Sequence, residues 1–422
     1  MKARLRSVAV DLSPLRHSAH YRRLWAGDGL GTFGRSILQV AVPVQVYQLT
    51  HSSLMVGLVS LCQLGPLIGG ALIGGVVADA NDRRRVLLLT QSSLAVLGLG
   101  LAVNAALPHP ALWPIFVLAI AQAVVSGFDT PARRAAMPML IGLERLPAAL
   151  ALQQLLSNTL KLVGPAIAGV LIASLGLSTT YWLYVAAYVA GVLTLRGLPS
   201  LVPEGGGRAA GWMSLREGVA YVARQRVVRS TFLIDINAMV FGLPRALFPA
   251  IGLSVLGGTA ATVGILYAAP GAGALLCALT SGWIGRVQRQ GLGVLIAVAV
   301  WGGAMIGLGL SRSLPLAVAC LMLGGASDMV SSVLRATMVQ LSTPDALRGR
   351  ITSVNKAVVS GGPLLGDAEA GAVAALAGVT FSVLSGGIAC ILGVLLIWWR
   401  FPAFSRVVVR AGSITVDGRS TP

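Results

Sequence analysis

From Leu54 to Ala78 the chain runs 25 residues without a charge, and from Val86 to Leu107 another 22. Between the two runs stands Asp79-Ala80-Asn81-Asp82-Arg83-Arg84-Arg85. About 20 apolar residues suffice to cross a bilayer, and inside lipid a helix is the way one segment satisfies its own backbone. The pair therefore reads as two antiparallel membrane helices joined by a short basic turn, which marks the cytoplasmic side. Gly75, near the end of the first run, is expected to let a neighbouring helix approach closely. Asp79 is expected to clamp the turn by pairing with Arg83 or Arg84.

The same pattern recurs along the chain. Of its 422 residues 55% are hydrophobic and 11% charged, against about 25% charged in soluble domains. Mean hydropathy is +0.81, and the 52 glycines suit helices that pack by close backbone approach. We read an all-α integral membrane protein with twelve spans, 21–48, 54–78, 86–107, 111–131, 148–175, 177–197, 229–256, 260–284, 292–311, 314–336, 351–378 and 380–400. Residues 1–20 are a basic cytoplasmic tail, 21–197 an N-terminal six-helix half and 229–400 a C-terminal one, with a polar tail over 401–422. The linker, 198–228, ends in a short amphipathic helix with Leu215, Val219 and Val222 on its apolar face. The net charge of +18 is a topology signal rather than a nucleic-acid footprint. Most Lys and Arg fall in the tails and alternate loops, while Arg35, Lys161, Arg245 and Lys356 sit inside spans.

The two halves repeat. Val56-Gly57 and Val263-Gly264 open corresponding spans, and Gly75 and Gly282 close them, both pairs 207 residues apart. Arg134-Ala135-Ala136-Met137 parallels Arg335-Ala336-Thr337-Met338, with Glu144 paralleling Asp345, and Gly164-Pro165 parallels Gly362-Pro363. Two six-helix pseudo-repeats place a substrate site between them near the midplane.

A charge at the bilayer centre costs about 2.5–3.5 kcal/mol on insertion scales, so intramembrane polar groups need a partner or a cavity. A substrate and proton path is expected to use Asp28, Arg35, Gln39, Asn158, Lys161, Asp235, Asn237, Arg245, Asp328, Lys356, Asp367 and Glu369. Asp28 is the first candidate for carrying a proton, Asp235 the second and Asp367 the third. Asp129, just before Arg133 and Arg134, reads as a loop clamp, which leaves the fourth span without an intramembrane arginine. The four cysteines, Cys62, Cys277, Cys320 and Cys390, lie in apolar spans at no metal-ligand spacing. Gly29-Leu30-Gly31-Thr32-Phe33-Gly34 matches a dinucleotide fingerprint, but no strand precedes it. No P-loop and no nucleophile with a nearby base is found. No enzyme, metal site or cofactor is expected.

The turn from Gly75 to Arg84 resembles the signature between helices 2 and 3 of the major facilitator superfamily, with Ala80 and Asp82 departing from its usual residues. Gly164-Pro165-Ala166-Ile167-Ala168-Gly169 resembles the helix-5 element of exporters in that superfamily, with Ala168 in place of a Gly. Val40 to Val46, Thr50 to Ser53 with Val56 to Leu58, Gly75 to Leu89, the run from Gly264 to Gly282, and Thr343 to Asp345 with Gly349 to Ile351 resemble the bacterial enterobactin (siderophore) exporters. The resemblance implies a monomeric secondary transporter in the bacterial cytoplasmic membrane, both termini inside. Its expected partners are a small-molecule substrate, protons and the bilayer. It implies export of a siderophore or related secondary metabolite by proton antiport with alternating access; the alternative is a multidrug efflux pump of the same superfamily.

Overall fold

The structure, a computed structural model, describes residues 11–142, 144–203, 212–344, 347–410, 413–416 and 419–420. The helices are α1 (Ala19–Thr50), α2 (Ser53–Ala80), α3 (Arg83–Ala106), α4 (Leu112–Ile141), α5 (Leu146–Arg196) and α6 (Trp212–Arg224). They continue with α7 (Arg226–Phe241), α8 (Ala260–Leu279), α9 (Gln290–Leu310), α10 (Leu314–Ser342), α11 (Arg348–Ala377) and α12 (Val379–Arg400). Nine segments among the described residues are long and apolar enough to cross a membrane. One of these, α5, is two helices joined at Gly176. Helices α1 and α11 have 32 and 30 residues and carry more charge. Counting α5 twice and adding α1 and α11 accounts for the twelve spans read from the sequence.

Two compact units emerge, Met1–Val42 with Gly65–Ala209, and Pro43–Leu64 with Ala210–Pro422. In the first, α3 packs against α4 and α5; in the second, α10 packs against α8 and α9, and α9 against α12. The internal repeat is written in backbone as well as sequence. Gly176 (φ 79°, ψ 170°) turns the chain inside α5, and Gly378 (φ 89°, ψ 161°) turns it between α11 and α12. That region of backbone is open essentially to Gly, and another residue there costs about 1–3 kcal/mol. Gly176→Ala should accordingly lower the unfolding free energy by that amount; an unchanged melting temperature in detergent would refute the strain.

The stretch read as an unbroken span over 229–256 is discontinuous. Helix α7 ends at Phe241, and Pro244 and Pro249 flank a single 3₁₀ turn, Arg245–Leu247, before a π-helical segment, Ala250–Val255. Proline supplies no N–H and clashes with the preceding turn, so it frees backbone groups that other helices must take up. Trp301 Nε1 donates to Gly242 O at 2.6 Å, Tyr267 Oη to Arg245 O at 3.0 Å, and Ala246 N–H to Asp367 Oδ1 at 3.0 Å.

Helix α6 is present, though its packing differs from expectation. Gly218 meets the backbone of Arg350 on α11, and Tyr221 and Val222 pack on Val228, Phe232, Ile351 and Val354. Val219 is exposed, because Tyr221 Oη reaches Ser342 O (2.7 Å) and Glu217 pairs with Arg350 (2.5 Å), which sets the rotation of the helix. Leu215, like residues 1–10, 204–211 and Asp345, lies outside what is described of side chains. A three-stranded antiparallel sheet, β1 (Val407–Arg410), β2 (Ser413–Val416) and β3 (Arg419–Ser420), occupies the tail that reads simply as polar.

Candidate functional site

Helix α4 runs to Ile141, ten residues past the end assigned from the sequence. Pro131 and Pro138 lie inside it without ending it. Arg133 therefore stands in a helix and not in a loop, and it is 7% exposed. Its Nε lies 3.1 Å from Asp28 Oδ1 on α1, and its Nη2 donates to Asp129 Oδ1 at 3.1 Å, one helical turn back. Asp129 Oδ1 also accepts from Thr90 Oγ1 and Gln91 Nε2, each at 3.0 Å on α3. Gln153 Nε2 on α5 donates to Asp28 Oδ2. Arg35 reaches Asp28 only at 3.9 Å and donates to Thr32 Oγ1 at 2.6 Å. The expected loop clamp at Asp129 is thus a buried Asp–Arg–Asp triad tying α1, α3, α4 and α5. The fourth span does contain an arginine.

The second unit builds the triad again. Asp235 on α7 lies 207 residues after Asp28, the offset of the Gly57/Gly264 pair. Arg335 on α10 places Nη2 2.8 Å from Asp235 Oδ1 and 3.7 Å from Asp328 Oδ1. Its Nη1 donates to Ser331 Oγ at 2.8 Å. This triad borders a cavity of about 320 Å³ between α7, α10 and α11. Thr231, Ser332, Thr352 and Asn355 add polar groups to the wall, and Phe232, Met239 and Val359 apolar ones. Arg335 was visible beforehand in the R-A-x-M repeat; its pairing with Asp235 was not.

Each of the remaining expected path residues has its own setting within its unit. Asp367 on α11 holds the α7 break: besides Ala246 N–H it accepts from Ser60 Oγ at 3.1 Å, with Arg245 at 4.0 Å. Asn237 donates to Cys390 O at 2.9 Å and so ties α7 to α12. Asn158 accepts from Gln154 Nε2 at 2.8 Å on an exposed face of α5. Gln39, Lys161 and Lys356 are exposed and Glu369 is half-buried.

At the basic turn the expected clamp is replaced. Among the described residues no ion pair reaches Asp79. Arg83 donates to Ala135 O (3.1 Å) and Arg84 to Arg196 O (2.7 Å). Asp82 does the clamping instead: its Oδ1 accepts Arg84 N–H, capping α3, and Leu201 N–H, and its Oδ2 accepts from Ser200, all at 2.9 Å. Partial burial raises the Asp82 pKa, but those hydrogen bonds and Arg85 outweigh it and hold the carboxyl below its ordinary value. A depressed carboxylate stabilises the fold above its unfolded pKa, and that contribution fades as pH falls below about 4. Asp82→Ala should cost about 0.5–2 kcal/mol, as loss of an N-cap does, and the difference from the parent should shrink in melts taken at progressively lower pH. Gly75 does not serve as a close-approach site, since a Cβ there would meet nothing within 4 Å. The tight contact lies at Gly70 and Gly127, where a Cβ on Gly70 would fall 2.5 Å from Val124 O and one on Gly127 2.5 Å from the Gly70 carbonyl carbon.

The helix-5 element behaves as its composition implies. Gly164, Pro165 and Gly169 are buried in α5. A Cβ on Gly164 would fall 2.5 Å from Ser36 Cβ, and Ser36 Oγ lies within reach of Thr32 O (3.1 Å) and Leu160 O (3.2 Å). The element joins α1 to α5.

Residues 9–410 match the family model described as transmembrane secretion effector. The chain is 33% identical over 395 residues to the enterobactin exporter EntS of Shigella boydii serotype 18, covering 93% of this chain and 94% of that protein. The EntS of Escherichia coli O6:K15:H31 matches to the same extent. Among solved structures, the nucleoside transporter NupG aligns with a TM-score of 0.75 at 11% identity, covering 90% of this chain and 99% of that one. A POT family transporter in complex with 5-aminolevulinic acid aligns at 0.70 and 14% identity, covering 92% and 97%. At those identities the solved structures speak to fold alone.

Proposed function

Because this chain belongs to the transmembrane secretion effector family of the major facilitator superfamily, we propose that it exports a siderophore or related secondary metabolite by proton antiport with alternating access. It is a multi-pass membrane transporter and not an enzyme. The observation that carries the substrate class is the likeness to enterobactin exporters over nearly the whole of both chains. The helix-5 element supports export over uptake. The basic turns support a bacterial cytoplasmic membrane location with both termini inside, and a monomer suffices for the activity.

Within this reading the proton is carried by Asp235 rather than Asp28. Asp28 is tied to Arg133 on α4 and to Gln153 on α5 and takes part in the cluster that joins those helices. Asp235 has Arg335 as its one ion-pair partner among the described residues and borders the cavity. A proton arriving there weakens that pair and biases the conformational equilibrium. Protein reconstituted in liposomes with an imposed pH gradient tests both parts. Siderophore flux should follow the gradient and should lose gradient dependence in Asp235→Asn while keeping it in Asp28→Asn. Movement of cationic drugs without siderophores would make the chain a multidrug pump.

A further inference from the structure

The two units offer the same ionic device in two states of completion. In the first, every carboxylate has amide or hydroxyl donors besides its arginine: Gln153 on Asp28, and Thr90 and Gln91 on Asp129. The side chains of Asp28, Arg133 and Asp129 are 6%, 8% and 4% exposed. The device there is closed and serves as a tie between helices. In the second, Arg335 contacts Asp235 closely and Asp328 only at 3.7 Å. Asp328 has no other hydrogen-bond or ionic partner among the described residues, and its side chain is 45% exposed. It stands midway along α10 on the cavity wall.

Charge and size then define what the cavity takes. Its lining contains two carboxylates and one guanidinium and no other ionisable side chain, a net charge of one negative unit with both acids ionised. The guanidinium is committed to Asp235 and Ser331, so an anion entering finds no free cation. A volume of about 320 Å³ falls at the lower end of the roughly 300–1,000 Å³ typical of small-molecule sites, room for one arm of a larger ligand. Ser332, Thr352 and Asn355 supply oxygen acceptors for N–H groups to the cavity wall, and Phe232 and Met239 supply apolar surface suited to an alkyl stem.

We propose that the cavity between α7, α10 and α11 is a binding site for a protonated amine on an alkyl arm of the transported molecule, with Asp328 as its counter-ion. This rests on reading the chain as a small-molecule exporter. It narrows the cargo to an amine-bearing metabolite rather than a purely acidic one.

Equilibrium binding of radiolabelled 1,5-diaminopentane to the purified full-length protein at pH 7 tests the site, with 1,5-pentanediol and glutarate as isosteres differing in charge. One saturable site per chain is expected, competed by unlabelled diamine and by neither isostere. Asp328→Asn should weaken binding at least tenfold. Asn355→Leu, on the cavity wall and away from the ion pairs, should weaken it several-fold, so a folding defect in the first variant leaves the test intact. No saturable binding by the parent, equal competition by glutarate, or undiminished affinity in both variants would overturn the proposal. The liposome flux measurement is separate. Amine binding that depends on Asp328 without siderophore movement sinks the siderophore reading and leaves the site, whereas siderophore movement without amine binding does the reverse.

Discussion

Arg133→Met should be among the most destabilising single substitutions in the N-terminal unit, by about 3–5 kcal/mol. Removing one member of a buried ionic cluster leaves the others as uncompensated charge, and losses of that size are typical. Here two carboxylates, Asp28 and Asp129, lose their common counter-ion at once, in a site where all three side chains are under a tenth exposed. The size of a methionine is close to that of the arginine stem, so packing contributes little to the loss. The sign of the effect is testable through its reversal. Combining Arg133→Met with Asp28→Asn and Asp129→Asn removes the stranded charges and should recover most of the stability, because an apolar or neutral replacement of a whole buried ionic cluster is often close to neutral. Thermal unfolding in detergent, followed by helical signal, reads both. If the single variant melts with the parent, the triad is not a structural tie.

The second large effect is expected at Asp367. Asp367→Ala leaves Ala246 N–H without its acceptor at the break in α7 and removes the partner of Ser60 and Arg245. A buried donor left unsatisfied costs about 1–3 kcal/mol. Arg245 is 26% exposed, so the loss of its ion pair at 4.0 Å adds little once solvent screening is counted. Asp367→Asn retains a carbonyl oxygen for Ala246 N–H and should keep most of the stability. The pair of variants therefore separates two roles. An acceptor for the broken backbone predicts that Asn is tolerated and Ala is not, in both stability and flux. A proton carrier predicts that both variants lose gradient coupling to the same extent.

How far the sequence reached can be judged from these same residues. The membrane class, the helical fold and the internal repeat were legible, because uninterrupted apolar length and recurring Gly and Arg positions are local properties that lipid and backbone geometry translate directly. The 207-residue offset even held the second triad in outline, since it carries Asp28 onto Asp235. Arg133 was misplaced for a reason built into the same logic. Hydropathy falls sharply after Phe128, and a proline followed by two arginines reads as a cytoplasmic loop, whereas burial against Asp28 lets α4 continue to Ile141. The four-residue spacing of Asp129 and Arg133 was the available sign of a continuing helix. Asp82 was set aside as a departure from a familiar pattern, although an Asp immediately before a helix start is itself a capping signal.

By itself the sequence determined that the chain is a helical protein that crosses the membrane many times and repeats internally. These follow from the cost of placing polar backbone and charge in hydrocarbon, which each segment must meet on its own. Tertiary structure alone decided which charges meet. Asp28 and Arg133 are 105 residues apart and Asp235 and Arg335 are 100 apart, and whether such a pair is sealed by glutamines or left facing a cavity depends on how neighbouring helices are rotated. That rotation is set by side-chain packing between segments distant in the chain, information that no local window of sequence contains.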